Sequence, residues 1–187
     1  MRKPNDAVRP RSGQRSTLQF HIIDWLTAVL IAAGAIALLL FVVFTPIRVR
    51  SSGVSDFYNG DLVFADRLSK YIFGFSRGDA VAVKNSSGSD GSRHIARVIA
   101  AAGENVVIAE GRVYINGQLL DESAYADAFD SGLRMEFEIP DGSLLLLPDE
   151  RGGLGERDVL SCVTAFDDIV GEVRLIAFPL KRISFFS

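Results

Sequence analysis

The sequence predicts a mainly β, antiparallel domain that follows one N-terminal transmembrane helix. The first observation behind this fold class is a single apolar run, WLTAVLIAAGAIALLLFVVF, which fills residues 25–44 without a charged side chain. The second is the change after Pro46, where short β-like runs alternate with turn pairs such as Asn59-Gly60 and Arg77-Gly78. The first pattern is typical of a membrane span and the second of a β domain.

The apolar run is long enough to cross a bilayer as a helix. At about 1.5 Å per residue its length approaches 30 Å, the thickness of a hydrocarbon core. A cleaved signal peptide would have an apolar region of roughly 7–15 residues that ends in small residues. Here the run is longer and is followed by Thr-Pro-Ile-Arg-Val-Arg. We therefore expect residues 24–45 to form an uncleaved transmembrane signal anchor.

Basic residues crowd on the N-terminal side of the span. Only Arg48 and Arg50 follow it closely. Five basic residues precede it: Arg2, Lys3, Arg9, Arg11 and Arg15. Because such residues favour the cytoplasmic side, residues 1–19 are expected to be a cytoplasmic basic arm and residues 46–187 an extracytoplasmic domain. The protein would be a single-pass plasma-membrane protein in contact with lipid. The arm lacks interleaved aromatics, so no nucleic-acid partner is expected.

The region after the span has the length of one ordinary domain and the pattern of a β-barrel or sandwich. The stretch Ser123 to Met135 is less regular and is expected to be a loop or a short helix. The strands are expected in IRVR, DLVFADRL, DAVAVKN, RHIARVIAA, NVVIAEGRVYINGQLL (two strands joined through Glu110-Gly111), GSLLLLPDE and VRLIAFPLKRISFF.

Cysteine and histidine are too few for a structural metal site. Cys162 is the single cysteine, so no intramolecular disulfide forms, and the two histidines are His21 and His94. We expect neither a metal nor a cofactor.

An aromatic stretch, Tyr71 to Phe75 (YIFGF), has two interpretations. Aromatic side chains suit both a β core and the interface of a membrane, and exposure in the structure decides between them.

Several segments after residue 23, taken in order, resemble the type I signal peptidases, the membrane-anchored serine endopeptidases that remove signal peptides from exported proteins. The resemblance implies a signal-peptidase-like antiparallel β domain that cleaves with a serine nucleophile and a lysine general base, whose pKa burial must lower. The segments are Asp24-Trp25-Leu26, Gly60-Asp61, Arg77-Gly78-Asp79, Arg97-Val98-Ile99, Gly103-Glu104, GRVYINGQLLDE, Ile139-Pro140-Asp141-Gly142, Ile169-Val170-Gly171 and Phe178-Pro179-Leu180.

The nucleophile motif of this family is S-M-x-P-T-L-x-x-G-D. Anchored on Gly60-Asp61, it places the serine at Ser52. The residues around that serine depart from the motif. Gly53, Ser55, Asp56 and Phe57 stand where the family has Met, Pro, Thr and Leu.

The general-base position departs further, because the family's K-R-V-I segment begins here with Ala96. The usual dyad cannot form with a methyl group. His94 is a weak alternative base, since it lies two residues earlier on the same strand face, about 6–7 Å away. The later family box, G-D-N-R-x-x-S-x-D-S-R, reads PDERGGLGERD, which keeps Asp149 and Arg151 but scrambles the rest.

These departures favour a catalytically degenerate member of the pilus-associated kind, kept for its fold. Its groove would bind exported preproteins or pilins as an added strand, and a sortase is a further partner that the resemblance suggests. The groove walls implied by the resemblance are Arg48, Val49 and Arg50 on one side and Arg93 and Ile95 on the other. The alternative is a divergent active signal peptidase that uses Ser52 and an unusual base. A structural subunit with a closed groove is a third interpretation.

Overall fold

The computed structural model describes residues 14–84 and 93–185. The chain divides into two compact units on either side of the Val42–Val43 peptide bond. The first unit contains most of one long helix, and the second contains the β domain. Most of the predicted cytoplasmic arm, residues 1–13, lies outside the described residues.

The long helix α1 runs from Gln14 to Val43 and is apolar all round over most of its length. Its segment Ile22–Val43 has 22 residues with a mean hydropathy of 2.8, and none of its most apolar window is buried in the structure. A helix that is apolar on every side requires an apolar surrounding rather than one apolar neighbour. The segment therefore fits a single-pass membrane anchor. It begins two residues before the predicted span, and β1 starts at Phe44, one residue before the predicted end.

The larger sheet confirms the prediction of a mainly antiparallel β domain. Its strand order is β1-β3-β12-β4-β5-β10-β11, with β13 paired to β12 and β2 paired to β5. Every pairing in it is antiparallel except that of β2 with β5. The strands are β1 Phe44–Arg48, β2 Ser51–Ser52, β3 Leu62–Asp66, β4 Ala80–Lys84, β5 Arg93–Ala101, β10 Ser143–Leu147, β11 Val163–Ala165, β12 Ile169–Phe178 and β13 Ser184–Phe185.

A second sheet has four strands in the order β8-β7-β6-β9. Glu110-Gly111 and Asn116-Gly117 form its two-residue turns, and all four of these residues have positive φ. This is the primed geometry that matches the twist of adjoining strands, so the prediction of a hairpin through Glu110-Gly111 is confirmed. The strands are β6 Asn105–Ala109, β7 Arg112–Ile115, β8 Gln118–Leu119 and β9 Met135–Glu138.

Two short helices complete the described elements of this kind: α2, Ser69–Ile72, and α3, Glu156–Ser161. The sequence pattern did not predict α3, which begins inside PDERGGLGERD and continues beyond it. Its start is fixed locally, because the Gly155 N–H donates to the Asp158 carboxylate at 2.9 Å.

The central strands β4, β5 and β10 of the larger sheet are buried on both faces, which explains why they contain nearly continuous apolar runs. Successive side chains of β5 enter different clusters, because strand side chains alternate between faces. Ile95 belongs to a cluster with Ile47, Val49, Val54, Phe57, Val63, Ala65, Ala80, Ala82, Val170, Val173 and Ile176, hereafter the Ile95 cluster. Ala96 belongs to a cluster with Val81, Val83, Val98, Leu144, Leu146 and Ile169, hereafter the Ala96 cluster.

Ile95 is 1% exposed, so its truncation tests the packing of the first cluster. We expect Ile95→Ala to lower the free energy of unfolding by about 2–5 kcal/mol, because it removes buried methyl groups and leaves a cavity. Denaturant titration of the detergent-solubilised protein measures this. The matched control, exposed Leu119→Ala, should change stability by about 0.5 kcal/mol or less. Equal losses from the two variants would contradict the burial of Ile95.

Candidate functional site

The candidate site lies where β2 pairs with β5. In this parallel pairing Ser51 lies opposite His94 and Ser52 lies opposite Ile95. The Gly53 N–H extends the pairing by donating to the Ile95 carbonyl at 2.8 Å. The predicted nucleophile position and the predicted base position, Ala96, therefore lie on neighbouring strands, one residue apart in register.

The Ser52 hydroxyl is bonded within its own loop. It donates to the Val54 carbonyl at 2.8 Å and accepts the Val54 N–H at 3.0 Å. Such local bonds from serine stabilise turns. Within residues 14–84 and 93–185, no hydrogen bond joins this hydroxyl to a histidine or lysine. In the described part of the chain, the proton of Ser52 is therefore held by a backbone carbonyl of its own loop.

Ala96, at the general-base position, is 5% exposed and faces the apolar Ala96 cluster. Val81, its partner across the strands, and Val98 belong to the same cluster. A methyl group in these surroundings accepts no proton. The side chain at this position packs in the apolar cluster instead.

His94 is half-buried on β5, and burial lowers the pKa of its imidazole. It is therefore neutral near pH 7, the form in which it accepts a proton. Its backbone partner on β2 is Ser51 rather than Ser52. The structure brings this alternative base near the serine segment without aligning it to the nucleophile position.

Asp149 fixes the loop that carries Ser52. Its backbone N–H donates to the Gly53 carbonyl. Its carboxylate accepts two hydrogen bonds from Ser55, one from the N–H and one from the hydroxyl, both at 3.0 Å. Arg97 on β5 donates to the same carboxylate from Nε at 2.8 Å and from Nη2 at 2.9 Å. Asp149 thus connects the loop to the central sheet.

Arg97 has further partners that hold its guanidinium in place. Its Nη1 donates to the Gly78 carbonyl at 2.9 Å, and the group lies 4.3 Å from the ring centre of Tyr125. Burial by itself would raise the pKa of Asp149, but the hydrogen bonds from Arg97 and Ser55 outweigh it and hold this pKa below its usual range. The pair is fully ionised near neutral pH.

Arg151, the other residue kept from the family box, also has a structural role. Its two terminal nitrogens each donate to Glu122 at 2.6 Å, and its Nε donates to the Pro148 carbonyl at 2.9 Å. The side chain is buried. The positive charge of Arg151 is therefore paired with the Glu122 carboxylate inside the domain.

Gly53 stands where the family motif has methionine, and the packing explains why. A Cβ at this position would lie 2.9 Å from the Pro148 Cβ, 3.1 Å from its Cα and 3.3 Å from the Ile95 carbonyl oxygen. Almost no real Cβ atom comes this close to a neighbour. The loop can lie against Pro148 and β5 only because this residue has no side chain.

The five residues predicted as groove walls differ in exposure. Val49 and Ile95 are buried in the Ile95 cluster, Arg93 is half-buried, and Arg48 and Arg50 are exposed. Sequence reasoning missed the connection of Ser55, Asp149 and Arg97. The sequence carried one indication of this connection. Asp149 is retained from the later family box, although the serine motif has lost its methionine and proline.

No metal centre is formed by the described side chains, since no three of their His, Cys, Asp or Glu residues are grouped to hold an ion.

Comparison with known proteins identifies the family. The family described as "Signal peptidase, peptidase S26" matches residues 22–177. Signal peptidase I P of Bacillus subtilis subsp. natto is 28% identical over 174 residues, covering 87% of this chain and 92% of the relative. Signal peptidase I S of Bacillus subtilis strain 168 is 27% identical over 174 residues, covering 86% and 91%. The crystal structure of a signal peptidase I from Enterococcus faecalis V583 matches with a TM-score of 0.40 and 20% identity, covering 52% of this chain and 95% of that one.

The family match spans most of the chain, including α1 and nearly all of the β domain. The chain therefore belongs to the signal peptidase S26 family.

Asp149→Asn tests the connection between the loop and the sheet by its pH dependence. Because the pKa of Asp149 is lowered by folding, its contribution to stability is present above the unfolded value of about 3.9 and is lost as pH falls through the folded value. Wild-type stability should therefore fall below about pH 5 more steeply than that of Asp149→Asn. Denaturant titrations between neutral and acid pH measure the difference. Exposed Asp141→Asn should keep the wild-type slope, and an unchanged slope in Asp149→Asn would refute the assignment.

Gly53→Ala tests the close approach of the loop to Pro148. We expect a loss of about 1–3 kcal/mol in unfolding free energy, because the added methyl overlaps Pro148 and the strand backbone. Gly53→Met, which restores the family residue, should lose at least as much. Thermal unfolding measures both. The control is Gly132→Ala, since nothing lies within 4 Å of a Cβ built there. A stable Gly53→Met protein would show that the loop is free to move away.

Proposed function

We propose that this protein is a noncatalytic, membrane-anchored member of the signal peptidase family that binds exported polypeptides. Exported preproteins are the general class of partner, and pilins in surface pilus assembly, with an associated sortase, are the specific class. The observation that carries the proposal is Ala96, a buried methyl group at the general-base position.

Loss of the base removes the means of activating Ser52. A serine hydroxyl is a weak nucleophile until a positioned base takes its proton. General acid–base catalysis contributes about 10²–10⁴-fold, and catalytic groups that act as a unit lose far more when one is absent. Here the hydroxyl is bonded to Val54, and its loop is fixed by Asp149. These contacts support a retained framework without its chemistry.

A binding edge is available on β1 without any catalytic group. In the described part of the chain β1 pairs with β3 alone. The N–H and C=O of Val49 both bond to the turn at Gly60-Asp61, so the peptide groups of Arg48 are directed to the opposite, open edge. Pro46 has the same direction and lacks a donor, as is typical of edge strands. An extended polypeptide can add to such an edge through backbone hydrogen bonds.

The buried groove residues support this edge from behind. Val49, which follows β1, and Ile95 of β5 pack in the Ile95 cluster. Arg48 and Arg50 are exposed on the same segment. A bound polypeptide would therefore meet a backbone edge flanked by positive charge.

The topology proposed for the membrane places the N-terminus in the cytoplasm and the β domain outside. Five basic residues precede the span, and the β domain follows it without an intervening segment, since β1 begins at Phe44. This side of the membrane is where exported proteins emerge.

The alternative function is a divergent, active signal peptidase. Family membership and the retained Ser52 favour it, and neutral His94 is the base it would use. This function would require the Ser52 loop to rearrange, which would break its hydrogen bonds to Val54 and Asp149.

The two functions are separated by incubating the detergent-solubilised protein with a preprotein of its own host. We expect no signal-peptide-sized mass shift with wild type or with Ser52→Ala, and equal capture of the preprotein or of a pilin by both, because Ser52 has no activating base. Mass spectrometry measures cleavage, and pull-down measures capture. An active signal peptidase I in a parallel tube shows that the preprotein is cleavable. Cleavage that disappears in Ser52→Ala would establish the enzyme instead.

Three further variants sharpen this test. Arg48→Pro removes the outward N–H of β1, whereas Arg48→Gln removes only the charge, so capture by strand addition should weaken in the first and persist in the second. Equal loss would point to charge recognition.

Ala96→Lys alone should not restore cleavage, because the residues that would tune a lysine there are also changed. Full activity in that variant would overturn the proposal of a degenerate site.

A further inference from the structure

The last described segment of the chain, residues 179–185, contributes little apolar packing to the β domain. It is called the C-terminal strap below. Its strand β13 pairs with β12 over two residues. Leu180, Ile183 and Phe185 are 74%, 52% and 82% exposed, so they bury little apolar surface against the domain. The attachment of the strap therefore depends largely on its polar contacts, which come from Arg182.

Arg182 bonds to a turn that is far away in the sequence. Its Nη1 donates to both carboxylate oxygens of Asp61, at 3.1 and 2.8 Å. Its Nη2 donates to the Asp56 carbonyl at 2.7 Å, and its guanidinium lies 4.0 Å from the ring centre of Tyr58. One side chain of the strap thus contacts three residues of the segment that joins Ser52 to β3.

Asp61 connects the strap to the backbone of this turn. The residue is 3% exposed, and its carboxylate also accepts the Tyr58 N–H at 2.9 Å. The Asp61 N–H donates to the Tyr58 carbonyl at 3.1 Å. Removing the cation from a buried carboxylate is strongly destabilising, because the charge is left uncompensated. The geometry of the turn at residues 58–61 therefore depends on Arg182.

The same turn determines which way the backbone of β1 faces. The Val49 N–H donates to the Asp61 carbonyl, and the Gly60 N–H donates to the Val49 carbonyl, both at 2.8 Å. Successive peptide groups of an extended strand point in opposite directions, so these bonds direct the N–H and C=O of Arg48 to the open edge. The turn thereby sets the edge to which a polypeptide would add.

We propose that Arg182 is a positioning residue for polypeptide binding, which holds the turn at Asp61 and through it the binding edge of β1. This role rests on the proposed function, because the edge matters only where a polypeptide adds to it. A lysine would supply the charge, but it lacks the planar group that bonds two acceptors and lies against the Tyr58 ring. Arg182 acts without touching the bound polypeptide.

The Ser52 loop has a second support that does not involve the strap. The Asp149 carboxylate accepts two hydrogen bonds from Ser55 and is itself bonded to Arg97. Loss of the Arg182 side chain should therefore free the turn and the edge of β1 while the loop at Ser55 stays in place. The expected effect is local.

Three variants of the detergent-solubilised full chain test this role: Arg182→Gln, Arg182→Lys and the matched control Arg174→Gln. Arg174 also bonds a buried carboxylate, that of Glu172, at 2.9 Å. The exposed fractions of the two arginine side chains are similar, 38% for Arg174 and 31% for Arg182. The partner of Arg174 belongs to β12 rather than to the turn.

Three quantities are measured for each variant. Titrated pull-down with a preprotein of the host gives the Kd of capture, and thermal unfolding gives the stability. Hydrogen–deuterium exchange with mass spectrometry reports local opening of the backbone.

We expect Arg182→Gln to speed exchange in the peptide that covers residues 46–61 and to weaken capture about tenfold, because hydrogen bonds to a charged group are lost. Arg182→Lys should show smaller changes of both kinds, and Arg174→Gln should show neither. In an Arg48→Pro background, Arg182→Gln should weaken capture no further, because the edge is already interrupted.

Unchanged exchange over residues 46–61 in Arg182→Gln would overturn the positioning role, whether or not a polypeptide binds. Equal loss of capture in Arg174→Gln would show that stability alone is responsible, and it would overturn the role as well. Faster exchange without weaker capture would have the same consequence. Absence of capture by the wild-type protein would refute the proposed function and with it a role for Arg182 in binding, whereas the exchange result shows separately whether Arg182 holds the edge.

Discussion

The ion pair between Arg97 and Asp149 is the contact on which the arrangement of the site depends. Arg97 belongs to the central strand β5, and Asp149 follows β10, so the pair connects elements far apart in sequence. Because Asp149 also binds Ser55 and Gly53, the loop that would carry a nucleophile becomes part of the domain's framework. A buried pair of this kind is costly to break, since loss of one partner leaves the other charge uncompensated. The framework of the loop thus persists in a chain whose residue 96 is alanine.

The residues that differ from the catalytic pattern form a consistent set. Ala96 fills an apolar cluster and Gly53 permits contact with Pro148, while the retained Ser52 closes a local turn. Each change removes a chemical group and adds a packing or hydrogen-bonding contact in its place. Activity and stability often compete at the same positions, because catalytic groups must be held in strained or desolvated states. Here the positions serve stability.

Much of the fold could be predicted from the sequence, whereas the site could be predicted only in part. The span and the Glu110-Gly111 hairpin depend on neighbouring residues, whose pattern is visible in the chain. The absence of a lysine at Ala96 was equally visible. The link from Ser55 to Asp149 joins residues 94 positions apart, and no local pattern encodes such a contact. The hydrogen bond from the Lys70 ammonium to the Ile169 carbonyl likewise joins residues 99 positions apart. Val49 and Ile95 are buried because other parts of the domain pack against them. The periodicity of the sequence alone does not specify which residues are covered in this way.

Because α1 continues directly into β1, the distance between the end of the span and the open edge of β1 has an upper limit. No linker separates Val43 from Phe44, and an extended chain spans at most about 3.6 Å per residue. Arg48 is five residues beyond Val43, so its open backbone edge stays within roughly 18 Å of the end of the span. Under the proposed function, a polypeptide bound at this edge would stay close to the end of the span. The proposed function would then restrict the domain to partners, or parts of partners, that lie close to the membrane.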